Sequence, residues 1–220
     1  MEKFSIMHES IQKTINFVKK TLANAEAGHD WFHIERVFET AKTINKQEKG
    51  NELVVAFAAL LHDIADPKFN HGNEELGPNI AASFLESIAV DPEIITHVKL
   101  IIQNMSFKNS FDTTGFTSKE MEIVQDADRL DAIGAIGIAR AFTYGGFKNR
   151  VLYDPAIAPE EHLTKESYKN TTAPTINHFY EKLLLLKDLM NTETGKIMAT
   201  ERHNFMLLYL DHFYKEWSGK

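Results

Sequence analysis

Apolar residues recur every three to four positions along most of the chain, and strict two-residue alternation is not sustained over a strand's length anywhere. The pattern predicts an all-α protein. Ile11, Ile15, Val18 and Leu22 line one face of a first helix, and Phe32, Val37, Phe38, Ala41 and Ile44 line a second that begins after Gly28. Asn51 is placed to cap a third helix, apolar on nearly every side through Leu61, which belongs at the centre of a bundle. Gly77-Pro78 and Asp91-Pro92 set prolines where a first helical turn tolerates them, and Thr117 with Glu120 has capping-box spacing, so three further helices start there. The last is expected to run through Ile123, Val124, Leu130, Ile133 and Ile136, with Gly134 and Gly137 thinning one face for a close neighbour.

From Thr143 to Thr172 periodicity fades over about thirty residues containing Gly145-Gly146, Pro155 and Pro159, which read as a long loop or a partly helical connector. Two closing helices, Thr175 to Met190 and Gly195 to Trp217, carry Leu, Met, Phe and Tyr at helical spacing. No repeat, low-complexity tract or separating linker interrupts the chain. The expectation is one helical domain over residues 1–220, with a core at 28–141, a loop or lid at 143–172 and C-terminal helices at 173–217.

Composition narrows the chemistry more than the fold. The 220 residues include no cysteine, so thiolate metal sites, disulfides and cysteine nucleophiles are excluded, and any metal must sit on His, Asp or Glu. A net charge of −7 opposes a nucleic-acid polymer as a partner, because that binding needs a cationic face. The longest apolar run, Leu53 to Leu61, is too short to span a bilayer, and the first ten residues lack the apolar core of a signal sequence. A cytoplasmic protein without a membrane partner is expected.

His62-Asp63 ends the apolar third helix just before Pro67. Consecutive helical side chains point about 100° apart, so both can face one ion only near a helix terminus, where this pair stands. For the bare dipeptide alone, a capping Asp beside a packed His is the better explanation. Its company is more specific: Gly28-His29-Asp30-Trp31-Phe32-His33-Ile34-Glu35-Arg36-Val37 upstream and Gln125-Asp126-Ala127-Asp128-Arg129-Leu130-Asp131-Ala132 downstream. These segments resemble the HD superfamily of metal-dependent phosphohydrolases, whose pattern is a lone His, a His-Asp doublet and a distant Asp on separate helices of a bundle. Ile176 to Leu183 is similar to the small stand-alone bacterial branch of that family.

Carried over by position, the resemblance makes His33, His62, Asp63 and Asp128 the ligands of one divalent ion. Two imidazoles and two carboxylates form a mixed nitrogen and oxygen shell suited to Mn²⁺, with Mg²⁺, Fe²⁺, Co²⁺ or Ni²⁺ as alternatives. The resemblance also implies a small phosphorylated substrate, above all a nucleotide, cut at a phosphate ester or anhydride: a triphosphate to monophosphate and pyrophosphate, or a monophosphate to nucleoside. A helical module that binds metal and nucleotide without turnover is the competing expectation.

Around the ligands, Asp66 matches an acidic position that some members use to orient the attacking water, against a plain capping role, and Lys68 would balance charge on phosphoryl oxygens or merely face solvent. Arg36, one turn after His33, would reach the phosphate or pair with an Asp. Arg129 and Asp131 flank Asp128, and one of them is expected to fix the orientation of a ligand. Arg140, Tyr144, Lys148 and Arg150 crowd the start of the long loop as cations and a ring for a nucleotide. Asp30 is a natural N-cap, and His71 and His97 are the histidines from which a second metal would have to be built. Spacing does not decide whether Arg202 and His203 face the cleft or solvent, and His8, His162, His178 and His212 read as structural.

Overall fold

The computed structural model describes residues 2–23, 30–65, 73–105, 115–160 and 172–220. The protein is all-α: among these residues there are helices and no strand. The helices are α1 (Glu2–Thr21), α2 (Trp31–Glu48), α3 (Glu52–Leu61), α4 (Leu76–Ser87), α5 (Pro92–Asn104), α6 (Lys119–Asp131), α7 (Gly134–Phe147), α8 (Asn177–Glu181) and α9 (Glu193–Trp217), with a 3-10 helix at Leu183–Leu189. None of the described helices is long and apolar enough to cross a membrane.

The chain forms two compact units, Met1–Ala127 and Asp128–Lys220, with the division falling inside α6. In the first, α3 is the central rod, packed against α1, α2 and α5. Asn51 starts it by accepting from the Leu53 and Val54 amides, satisfying donors that the first turn would otherwise orphan. Every residue from Val54 to Leu61 is buried, as an all-round apolar helix requires. The turn before it is locked by Asn45, whose side chain accepts from the Gly50 amide at 2.7 Å while Lys49 takes the left-handed conformation at φ 60°. Asp91 caps α5 through the Glu93 amide at 2.8 Å, with Pro92 in the first turn as expected.

Three expectations fail on local chemistry. The start of α6 is capped by Ser118, whose hydroxyl accepts from the Met121 amide at 3.2 Å, and not by Thr117. Glu120 does not return to the cap; its carboxylate accepts from the Asn51 amide at 2.7 Å, joining α6 to the start of α3. The helix drawn from Thr117 through Ile136 breaks into α6 and α7 at Gly134, which turns left-handed at φ +76°. A side chain there would also strike Arg202, and one at Gly137 would lie 2.2 Å from the Ala132 carbonyl oxygen, so both glycines make the corner passable.

The second unit departs further from simple periodicity. α7 continues to Phe147, so the loop starts at Lys148, later than Thr143. The helix expected over Thr175 to Met190 is α8 followed by 3-10 helix, because the chain leaves helical geometry at Lys182 with φ −146°. Leu183 and Leu186, three apart, then bury together in the three-residue turn of a 3-10 helix. The loop is pinned by backbone bonds from Thr175 to the Val151 carbonyl and from Ile176 to that of Leu152, each at 3.0 Å. Rings fill this unit: Phe179 stacks on Tyr209 at 5.9 Å and Phe213 on Trp217 at 6.0 Å.

Candidate metal centre

His33 occupies the first turn of α2, where Asp30 accepts from its backbone amide at 3.0 Å, so the N-cap and the candidate ligand are three residues apart on one turn. The residue is 2% exposed. His62 stands at the C-terminal cap of α3 with its backbone still helical, and the next residue already belongs to the turn that leaves the helix. The end of a fully apolar rod therefore delivers a histidine and a carboxylate side by side. The His62 side chain is 3% exposed and that of Asp63 25%.

The His62 ring is oriented by its own helix. Nδ1 lies 2.9 Å from the Ala59 carbonyl oxygen, which accepts only, so Nδ1 is the donor and the lone pair of the neutral ring is on Nε2. This is the tautomer of a metal ligand, whose other nitrogen habitually donates to a carbonyl or carboxylate. The Asp63 Oδ2 atom lies 3.6 Å from the Nε2 atoms of both His33 and His62. The two rings meet edge to face at 5.4 Å. Asp128 is carried on α6, and one ligand atom from each of His33, His62 and Asp128 lies within 4.8 Å of the others. Buried imidazole nitrogens and carboxylate oxygens at this spacing suit a divalent ion of borderline hardness.

The sequence model of the HD domain matches residues 31–133, a span that begins at α2 and ends just past α6. The Bacillus subtilis protein YpgQ is 38% identical over 208 residues, covering 92% of this chain and 91% of its own length. An HD-superfamily hydrolase from Bacillus thuringiensis has a crystal structure similar to this one, with a TM-score of 0.79 and 45% identity over 97% of this chain and 100% of that one. The crystal structure of YpgQ in complex with ADP is also similar, with a TM-score of 0.77 and 34% identity over 96% of each chain.

The chain belongs to the HD-domain family. Within this HD-domain protein the remaining candidate residues fall into distinct settings. Asp66, Lys68 and His71 lie outside the described residues, as do Gly28 and His29. Arg36 is half-buried on α2, one turn beyond His33. His97 bonds to the Ser118 hydroxyl at 2.9 Å and lies 3.7 Å from Glu120, at the opposite end of α6 from Asp128.

Tyr144, Lys148 and Arg150 gather in the second unit. The Lys148 ammonium and the Arg150 guanidinium each lie 5.6 Å from the centre of the Tyr144 ring, which is 41% exposed. Arg140, grouped with them by sequence, instead donates to the carboxylate of Asp131 and to its carbonyl oxygen at 3.3 Å. Arg129 reaches the Leu189 carbonyl at 2.7 Å.

Two half-buried groups in this unit are His178, which reads as structural from the sequence, and Arg202, which spacing leaves open. Burial, then the nearby charges of Lys182 and Arg150, pull the His178 imidazole down from 6.5 to about 4. Arg202 turns inward and donates to the Leu130 carbonyl. Asp126, two residues before Asp128, is fully buried, and no spacing rule had singled it out.

Proposed function

We propose that this HD-domain protein is a metal-dependent phosphohydrolase acting on a nucleotide. The observation that carries the reading is the His62 ring, whose Nδ1 donation to Ala59 leaves Nε2 ready to ligate beside His33, Asp63 and Asp128. These four residues would hold one divalent ion, Mn²⁺ by donor character and Mg²⁺, Fe²⁺, Co²⁺ or Ni²⁺ as alternatives. Such an ion, when bound, supplies Lewis acidity toward a phosphate oxygen and a nucleophilic water at neutral pH.

The chain's own residues do the rest. The carboxylates offset the positive charge of the site and leave open positions for substrate, since a closed structural site would more often use thiolates, of which the chain has none. Asp66 orients the water and Lys68 balances charge on the phosphoryl oxygens in this reading. Arg36 contacts the phosphate from the His33 helix. The exposed Tyr144 ring, bracketed by Lys148 and Arg150, offers a stacking face for a base and cations for phosphate oxygens in a segment that serves as a lid.

The nucleotide class is supported by YpgQ, which has been crystallised with ADP. The favoured reaction is cleavage of a nucleoside triphosphate to monophosphate and pyrophosphate, with monophosphate dephosphorylation second. A panel of nucleoside mono-, di- and triphosphates with Mn²⁺, read for phosphate and pyrophosphate beside Asp63→Ala, tests this. Release by the wild type that falls to background in the variant is expected. Equal release by both would remove the site assignment, and tight nucleotide binding without release would favour a sensor module.

A further inference from the structure

The last turn of α6, which begins at Asp128, is tied down from three directions within the second unit. Arg129 donates to the Leu189 carbonyl at 2.7 Å. Asp131, only 5% exposed, accepts from Arg140 of α7. Arg202 of α9 donates to the Leu130 carbonyl. The Leu130 carbonyl already accepts from the Ile133 amide at 3.3 Å, so the guanidinium is its second donor, and it sets a cation at the end of the helix where negative charge concentrates.

The Arg202 contact is built into the backbone. The Cβ that Gly134 lacks would lie 3.0 Å from both Cβ and Cγ of Arg202, so the corner between α6 and α7 is shaped around the stem of this arginine. Only a glycine combines that closeness with φ +76°. Burial disfavours the charged form of Arg202 and the charge of the Asp131 carboxylate favours it.

We infer that Arg202 is a positioning residue, which with Asp131 and Arg140 clamps the terminal turn of α6 and so fixes the direction in which Asp128 presents its carboxylate. The inference rests on the reading of Asp128 as a metal ligand. Arg202 touches no reacting atom; its role is that of an outer partner, whose loss from metal sites typically weakens binding about 10- to 100-fold. Lysine keeps the charge but not the planar fork, and so restores part of the effect.

The test is Mn²⁺ affinity of the full chain, measured by calorimetry and by electron paramagnetic resonance, for wild type, Arg202→Met, Arg202→Lys and His62→Ala. Expected are about a tenfold weaker Kd in Arg202→Met, an intermediate value in Arg202→Lys and an altered Mn²⁺ spectrum in both, with His62→Ala losing binding. Wild-type affinity and spectrum in both arginine variants, with His62→Ala still losing binding, would overturn the clamp and leave the metal site standing. Unchanged binding in His62→Ala would overturn the metal site itself. Should Arg202→Met fail to fold, Arg202→Lys and Gly134→Ala, which displaces the stem without removing the charge, carry the same comparison, and native affinity in both counts against the clamp.

Discussion

The two units of this protein hold their interiors by different means. In Met1–Ala127 the centre is α3, an unbroken buried run of Val, Ala, Phe and Leu that ends in His62 and Asp63. In Asp128–Lys220 a ladder of rings runs from Phe142 and the buried Phe179 through Tyr209 and Phe213 out to the exposed Trp217, and the buried Asp131 carboxylate pairs with Arg140. Aliphatic packing is close and directionless, and it yields a rigid rod that fixes whatever stands at its end. Rings and ion pairs are directional, so they can hold a broken helix, a 3-10 turn and a long loop in one arrangement.

Truncating one large side chain in each unit gives the largest expected effect. Phe57→Ala and Phe179→Ala, both at fully buried positions, should each cost about 3–5 kcal/mol in denaturant unfolding. The comparison sharpens with Phe179→Leu, which keeps apolar bulk but loses ring contacts to Phe142 and Tyr209 worth roughly 0.5–1.5 kcal/mol each. A Phe179→Leu protein as stable as wild type would break the distinction between the two interiors.

His178 supplies the next largest effect, and it depends on pH. Its folded value is depressed to about 4 from 6.5, so between these values the unfolded chain binds the proton and the folded chain does not. Its contribution is therefore fully present above pH 6.5 and is lost as pH falls toward 4, by roughly 3 kcal/mol in total. Thermal unfolding of wild type and His178→Gln from pH 7.5 to 4.5 should show a shallower loss in the variant. Parallel curves would count against a buried neutral imidazole in the second unit.

Smaller effects follow at the surface and at a cap. Lys148→Ala and Arg150→Ala should each raise KM roughly tenfold, the loss of one hydrogen bond to a charged group, with little change in kcat. Steady-state kinetics identical to wild type in both would remove the Tyr144 cluster from substrate binding. Asn51→Ala should cost about 1 kcal/mol, because it strips a cap from α3. A melting temperature unchanged by that variant would mean that the buried rod, not its cap, sets the start of the helix.

The first unit was legible because burial there follows period. α2, α3 and α5 carry their apolar faces at helical spacing, and Asp30, Asn51 and Asp91 cap them as their chemistry dictates. The grouping of His33, His62 and Asp128 is not legible in local spacing, since they are distant in sequence and only a family pattern joined them with Asp63. What escaped was set by contacts between remote residues. The break at Gly134 answers the stem of Arg202, and Arg140 turns to Asp131 because a buried carboxylate needs a partner. Neither contact leaves a mark in local spacing. Ser118 displaced Thr117 as the cap because its hydroxyl is also in reach of His97, and a Ser next to a Thr offers two candidates that spacing cannot separate.

Crystals grown with Mn²⁺ and measured for anomalous scattering test the central claim most directly. One strong peak is predicted, about 2.0–2.3 Å from the Nε2 atoms of His33 and His62 and from carboxylate oxygens of Asp63 and Asp128. A peak elsewhere, or well-ordered side chains at 33, 62, 63 and 128 with no peak among them, would contradict it.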